Sequence, residues 1–274
     1  MEIFVHDTAF MIAYYRAQHE EVSKDPYAHL WLRPGLEKWT NEFARHVSSK
    51  DDILHCLRNR FFYEELRKLT AEHDKLLLLN LGAGFSMYPY ALPDHLETIE
   101  VDFTEVAQYK ELKTTEFNNL GRLPGRKVLH LHGDITNASD QKRFSELLAP
   151  YKDHTKVVLI EGVFFFLSEA QITSTLNFCE QVLTTGDQLM CVSFDDALKQ
   201  TAVFNRLTLY FSEVLKSENN PYTTLPHSYY RELDAFQLIR QSSSVQLGKE
   251  LAVIEPNLDE NDVLNEYFYV LERR

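Results

Sequence analysis

The chain has 274 residues, 44% hydrophobic and 12% aromatic, enough for the core of one large α/β domain or two small ones. Its formal net charge of -13 repels phosphate backbones and anionic bilayers, and no lysine or arginine run offers a local basic patch, which argues against nucleic-acid and membrane partners. Cys56, Cys179 and Cys191 are scattered without CxxC spacing, against a disulfide framework or a structural zinc site, and Met1–Asp7 lacks the basic and apolar regions of a signal peptide, so a soluble cytoplasmic protein is expected.

Asp7 or Thr8 is placed to cap a first helix from about Ala9 to Glu21, with Phe10, Ala13, Tyr14 and Ala17 on one face. Asp25-Pro26-Tyr27 and Arg33-Pro34-Gly35 are breaks. Helices are expected from about Leu36 to Val47 and, capped by Asp51 or Asp52, from about Ile53 to Glu72. Leu76-Leu77-Leu78-Leu79 is apolar on both faces, as a central parallel strand requires. A short helix leads to a second strand, Thr98–Asp102, then a helix from about Phe103 to Leu112. Lys127–His132 is a strand. Its His130 and His132 share one side at period two, but without a third ligand nearby they read as packed or hydrogen-bonded histidines rather than a metal pair.

Gln141–Leu148 reads as a helix and Lys156–Glu161 as another apolar strand; Ser168…Gln171 is a capping box for a helix reaching about Thr184. Gln188–Phe194 is a strand, followed by a helical region over about Ala197–Ser217 that Asn219-Asn220-Pro221 ends. Tyr222–Tyr230 is tyrosine-rich and irregular. A short helix around Tyr229–Leu238, a strand near Val253 and a terminal strand over Asn265–Leu271 complete the reading. The alternation predicts an open, mostly parallel sheet with helices on both faces. Residues 1–72 are expected to cap a core formed by 73–274, within a single domain.

In such a sheet, ligands gather at the carboxyl ends of the strands. Gly82-Ala83-Gly84, Glu100 and Asp102, Asp134, and Glu161-Gly162 all fall there. The dinucleotide pattern wants a third glycine where Met87 stands, and a phosphate loop wants Gly-Lys-Ser/Thr; both are missing, and the turn holds no lysine. What remains is a nucleoside without pyrophosphate. S-adenosylmethionine fits: a ribose for a carboxylate, an adenine for an apolar wall, and an amino-acid tail whose carboxylate suits an arginine.

The chain resembles the leucine carboxyl methyltransferase family and its bacterial O-methyltransferase relatives. The resemblance is carried by Thr8-Ala9 with Arg16-Ala17, Asp25-Pro26-Tyr27-Ala28, Arg58-Asn59-Arg60-Phe61-Phe62, Asn80–Gly84, Glu100-Val101-Asp102-Phe103, Gly133-Asp134 and Glu161-Gly162-Val163. It implies a Rossmann-like class I methyltransferase fold: a mostly parallel open sheet with an antiparallel last strand and an N-terminal helical cap. It also implies that Arg58, with Arg60 as runner-up, binds the cofactor carboxylate. Gly82, Ala83 and Gly84 would line the methionine portion, Asp102 hold the ribose, Asp134 and Ile135 meet the adenine, and Glu161 face the amino group. Relatives often carry an aspartate where this chain has Tyr63, and a tyrosine is common where it has Phe166.

The activity so implied is O-methyl transfer to a carboxylate or hydroxyl of a small molecule or peptide terminus. A carboxylate requires no base, whereas a hydroxyl usually does. His227 is a candidate base, though it reads better as an exposed loop histidine. Phe164, Phe165, Phe166, Tyr222, Tyr229 and Tyr230, with Arg60, either line an acceptor pocket or, for the phenylalanines, form plain core. The alternative is a non-catalytic nucleoside-binding module on the same fold, against which the intact strand-end acids count. A nicotinamide enzyme is disfavoured by the missing glycine and by the absence of a Tyr-x-x-x-Lys pair near the middle strands.

Overall fold

Residues 5–215 and 222–274 are described by a computed structural model. Four helices come first: α1 (Val5–Gln18), α2 (Glu20–Ser23), α3 (Leu36–His46) and α4 (Asp51–Glu72). Alternating elements follow: β1 (Leu76–Leu81), α5 (Tyr88–Ala91), β2 (Leu96–Asp102), α6 (Thr104–Asn119), β3 (Val128–His132), α7 (Ala138–Leu147), β4 (Thr155–Ile160), α8 (Glu169–Val182) and β5 (Gln188–Ser193). Then come α9 (Ala202–Leu215), α10 (His227–Arg231), β6 (Phe236–Ser243), α11 (Ser244–Glu250) and β7 (Tyr267–Arg273).

The strands form one sheet in the order β3-β2-β1-β4-β5-β7-β6. β1 to β5 are parallel, and β7 runs antiparallel to both β5 and β6. From β1 the chain steps outward through β2 and β3, then returns to β4 on the other side. The crevice between the carboxyl ends of β1 and β4 is therefore the switch point where ligands bind in such sheets.

Every residue of β1 is buried, and the pleat divides them between two cores. Leu76 and Leu78 join Val157 and Leu159 in a cluster with Phe61, Phe62 and Leu66 of α4. Leu77, Leu79 and Leu81 join Val158 and Ile160 in a cluster with Phe144 of α7 and Phe178 of α8. Each fully buried leucine or phenylalanine contributes about 1.5–3 kcal/mol, so both faces of the central strands are strongly pinned. α1 packs differently. Its Phe10 and Ala13 meet Trp31, Phe85 and Phe117, tying the helical cap to the turn after β1 and to α6. Among the described residues no helix is long and apolar enough to cross a membrane.

The structure differs from the sequence reading in several places. α1 starts before Asp7 and is broken at His19, and Asp51 and Asp52 occupy the first turn of α4, favourable to its dipole, rather than its cap. α6 runs past Leu112 because Phe117 is buried, and it ends at Asn119, just before Gly121, whose φ of +68° suits only glycine well. The helical region after β5 is a 3-10 turn, Asp196–Gln200, followed by α9; its expected end at Asn219-Asn220-Pro221 lies outside the described residues. The helix expected to reach Leu238 stops at Arg231. Phe236–Ser243 is an edge strand instead, and Val253 lies in a turn. That strand exists through its pairing with β7, a long-range contact that local periodicity does not carry.

Candidate functional site

β1 ends in a turn shaped by its glycines. Gly82 (φ +73°) and Gly84 (φ +45°) take left-handed conformations. The Gly82 and Ala83 amides donate to the Val101 carbonyl, at 2.8 and 3.1 Å. The Asp102 carboxylate then accepts from the amides of Gly84 (2.7 Å) and Phe103 (2.8 Å), so β2 holds the turn through its last residue. Burial pushes the Asp102 carboxyl up, and those two N–H donors offset part of that. Asn80 reaches Ser86 at 2.9 Å and fixes the far side of the turn.

At the end of β3, Asp134 caps its own loop, accepting from the Thr136 amide (2.8 Å) and hydroxyl (2.7 Å), with Ile135 buried beside it. At the end of β4, Glu161 accepts from Arg58 Nε (2.8 Å) and from the Tyr88 hydroxyl (2.6 Å). Arg58 Nη1 donates to Glu266 Oε1 at 2.6 Å. Two carboxylates therefore share one buried guanidinium, in unequal settings. Burial would raise the Glu161 carboxyl, but Arg58, Arg16 and the hydrogen bonds from Tyr88 and Arg58 outweigh it and hold it below the usual range. Glu266 is raised, because burial and the nearby Asp51 and Glu161 outweigh Arg58 and His55. Burial works against the Arg58 charge, yet Glu266 and Glu161 push its pKa up.

These groups face one cavity of about 430 Å³. Of the residues singled out in the sequence, Arg58, Gly82, Ala83, Gly84, Asp102, Asp134, Ile135, Glu161, Phe165, Phe166 and Tyr222 line it. Arg60 and Tyr230 do not, and both leave the acceptor pocket. Arg60 pairs along α4 with Glu64 at 2.9 Å, and Tyr230 is fully buried, stacked on Tyr269 at 3.7 Å between ring centroids. Tyr229 packs beside Tyr230, and Phe164 is core. Phe166 is 48% exposed and stands 5.5 Å from the Tyr222 ring. His227 is outside the cavity lining, 2.7 Å from the Tyr269 hydroxyl.

Glu100 also lies elsewhere, fully buried and paired with Lys110 at 2.8 Å. That pairing leaves His130, 3.4 Å from Glu100, beside a lysine ammonium. Burial first, then the Lys110 charge, pushes His130 down from 6.5 to about 4. Its neutral form therefore contributes stability that is complete above pH 6.5 and lost as pH falls toward 4, roughly 3 kcal/mol at most. Urea midpoints at pH 7 and pH 4.5 test this: His130→Gln is expected to flatten the fall seen in the parent protein, and parallel falls in both would contradict it.

The cavity also contains groups that the sequence reading did not place in the site: Arg16, Asp51, His55, Ser86 and Glu266. Arg16 bolts α1 to the turn, binding Asp25 at 2.9 Å and the Phe85 carbonyl at 2.7 Å. Asp51, His55 and Arg58 stand at i, i+4 and i+7, a helical spacing that was available in the sequence. Glu266 carries no local signal. Among the described residues no lysine lines the cavity, which suits a nucleoside ligand lacking a pyrophosphate.

A parallel β3-β2-β1-β4-β5 order closed by an antiparallel strand, with a glycine turn and acids at the switch point, is the architecture of the class I methyltransferases, whose methyl donor is S-adenosylmethionine. A sequence model described as leucine carboxyl methyltransferase matches residues 8–180, and the chain belongs to that family. Among solved structures, a DUF574 family protein from Streptomyces avermitilis is similar over 97% of both chains, with a TM-score of 0.63 and 12% identity. A methyltransferase from Thermobifida fusca, itself described as putative, is similar over 88% of this chain and 89% of its own, with a TM-score of 0.61 and 14% identity. Magnesium protoporphyrin IX methyltransferase from Synechocystis, solved with bound S-adenosylhomocysteine, is similar over 94% of this chain and 98% of its own, with a TM-score of 0.53 and 8% identity. No curated protein matches the sequence.

Proposed function

We propose that the protein is an O-methyltransferase that methylates a carboxylate or hydroxyl oxygen of a small molecule or peptide terminus. The observation that carries this reading is the continuity of the cavity. The glycine turn, Asp102, Asp134 and Glu161 open into the same space as Phe165, Phe166 and Tyr222. When bound, S-adenosylmethionine supplies a methyl group activated on a sulfonium.

In this reading Asp102 holds the ribose hydroxyls while keeping the Gly84 amide, and Ile135 with Asp134 meets the adenine. Arg58 presents Nη2 beside Gly162 to the cofactor carboxylate, and Glu161, kept ionised by Arg58 and Arg16, accepts from the ammonium. Phe165, Phe166 and Tyr222 exclude water and align the acceptor with the methyl group, the main demand of an in-line displacement. Residues 1–72 serve as a cap on the core of residues 73–274 within one domain.

Calorimetric titration with S-adenosylmethionine, S-adenosylhomocysteine and NAD, followed by methyl transfer to oxygen acceptors, tests the reading. Binding of the two sulfur nucleosides but not NAD is expected. Asp102→Ala is expected to weaken S-adenosylmethionine about 10- to 100-fold, the loss of a hydrogen-bonded charge, with the fold kept by circular dichroism. Unchanged affinity would remove Asp102 from the site, and transfer to nitrogen or carbon acceptors alone would overturn the O-methyl assignment.

A further inference from the structure

The lining of the cavity includes residues other than those proposed to hold the cofactor. The apolar ones include Met11 from α1, Phe43 from α3, and Leu207 and Phe211 from α9. The polar ones include a single cluster. Asp51 and His55 lie on the same face of α4 as Arg58, and Glu266 stands just before β7.

The His55 ring sits between two carboxylates, with Nε2 3.1 Å from Asp51 Oδ2 and Nδ1 3.5 Å from Glu266 Oε1. The Tyr15 ring stacks on it with centroids 6.0 Å apart and planes within 15°. Asp51 and Glu266 are each only 2% exposed. Yet Glu266 Oε2 makes no hydrogen bond among the described residues, and the contacts of His55 with Asp51 and Glu266 fall short of hydrogen-bond geometry. A buried polar atom without a partner costs about 1–3 kcal/mol, so Glu266 Oε2 leaves the cluster able to receive a ligand group.

We propose that this part of the cavity holds the methyl acceptor, that the acceptor is a hydroxyl on an apolar body, and that His55 is the base that takes its proton. The inference rests on the O-methyl reading above and narrows it. A carboxylate acceptor would meet the carboxylates of Asp51, Glu161 and Glu266, with Arg58 shared among them, and it would leave a buried histidine flanked by acids without a task. A hydroxyl instead donates its hydrogen to the cluster. As the acceptor oxygen forms the new O–CH₃ bond, the S–CH₃ bond breaks. The bonding pair stays on sulfur, which becomes a neutral thioether, and the hydroxyl proton passes to the His55 imidazole. The imidazolium is then stabilised by Asp51 and Glu266, as an acid orients and stabilises a catalytic histidine elsewhere. A positive His55 in turn helps to keep Glu266 ionised against the effect of burial.

The test uses the full chain with S-adenosylmethionine and three probes of one shape: 2-naphthol, 2-naphthoate and 2-naphthylmethylamine, with products read by mass spectrometry. The parent protein is expected to methylate 2-naphthol in preference to the others. His55→Gln is expected to lower kcat for it by about 10²- to 10⁴-fold, the usual range for a lost general base, while calorimetric affinity for S-adenosylhomocysteine stays unchanged. Turnover of 2-naphthoate but not 2-naphthol would overturn the hydroxyl assignment and leave the O-methyl reading standing. So would 2-naphthol turnover at the parent rate in His55→Gln for the role of His55. Transfer to the amine alone, or to none of the probes despite tight cofactor binding, would overturn both readings. The preference of the parent protein is decisive even if the variant fails to fold.

Discussion

Arg58→Ala is expected to destabilise the protein by about 3–5 kcal/mol, the usual consequence of removing one partner from a buried ion pair. The side chain of Arg58 is 6% exposed, and its partners Glu161 and Glu266 are 10% and 3% exposed. Without the guanidinium, both carboxyls remain buried, with only the weaker influence of Arg16 on Glu161 and of His55 on Glu266. The loss has a definite pH dependence. In the parent protein Glu161 is depressed, so its contribution is present above the ordinary value of 4.5 and lost as pH falls through its lower native value. In the variant burial dominates and both carboxyls are raised, so stability is highest in acid and lost as pH rises through their native values.

The gap between the two proteins should therefore widen from pH 4 to pH 8 in urea titrations. A triple variant, Arg58→Met with Glu161→Gln and Glu266→Gln, is expected to regain most of the stability but not the affinity for S-adenosylmethionine. That comparison separates the structural role of the cluster from its proposed role in binding. An Arg58→Ala protein as stable as the parent at pH 8 would mean that the two carboxylates are solvated, contrary to the geometry.

Gly82→Ala is the second large effect. At a φ of +73°, a Cβ at this position would lie 2.3 Å from Val163 Cγ2, closer than two carbons approach. The left-handed backbone costs about 1–2 kcal/mol for a residue other than glycine. Relieving the overlap costs about 1–3 kcal/mol more and displaces the turn or the start of the segment after β4. A loss of stability near the sum is expected, with cofactor affinity reduced in step. Adding Val163→Ala removes the overlap but not the backbone strain, so it should rescue part of the loss. Gly84→Ala serves as a reference. Its φ is +45°, but the nearest atom to its Cβ is Ala9 Cβ at 3.9 Å, so only the backbone cost applies. If Gly84→Ala proved as damaging as Gly82→Ala, the contact with Val163 would not be what sets the shape of the turn.

What the sequence discloses about this molecule follows the range of the interactions involved. The central strands are legible because burial on both faces leaves an unbroken apolar run, as in Leu76–Leu79. The turn is legible because glycine is required where φ is positive, and the start of α8 because Ser168 and Gln171 complete each other's bonds over three residues. Phe236–Ser243 is not legible, since only β7 makes it a strand, and neither is the depth at which Tyr230 is buried. The candidate site divides in the same way. Its strand-end acids lie beside a recognisable turn, while Glu266 is brought to Arg58 across 208 residues of chain. Asp51 and His55 lie between these extremes, on a helical face whose partner is not local.

The place of β7 in the sheet has a consequence for assembly. It enters between β5 and β6 although it follows both in the chain, so β6 has no sheet neighbour until β7 arrives. Because β7 runs against β5, its beginning rather than its end reaches the ligand edge, and Glu266 comes with it. The strand that follows all others of the sheet along the chain is thus the one that both joins the sheet edge and delivers the second carboxylate to Arg58. A nascent chain long enough to form β1 to β5 would hold the glycine turn and its acids yet lack the His55 cluster's third member. Sheet closure and completion of the cavity lining around Arg58 are then one event.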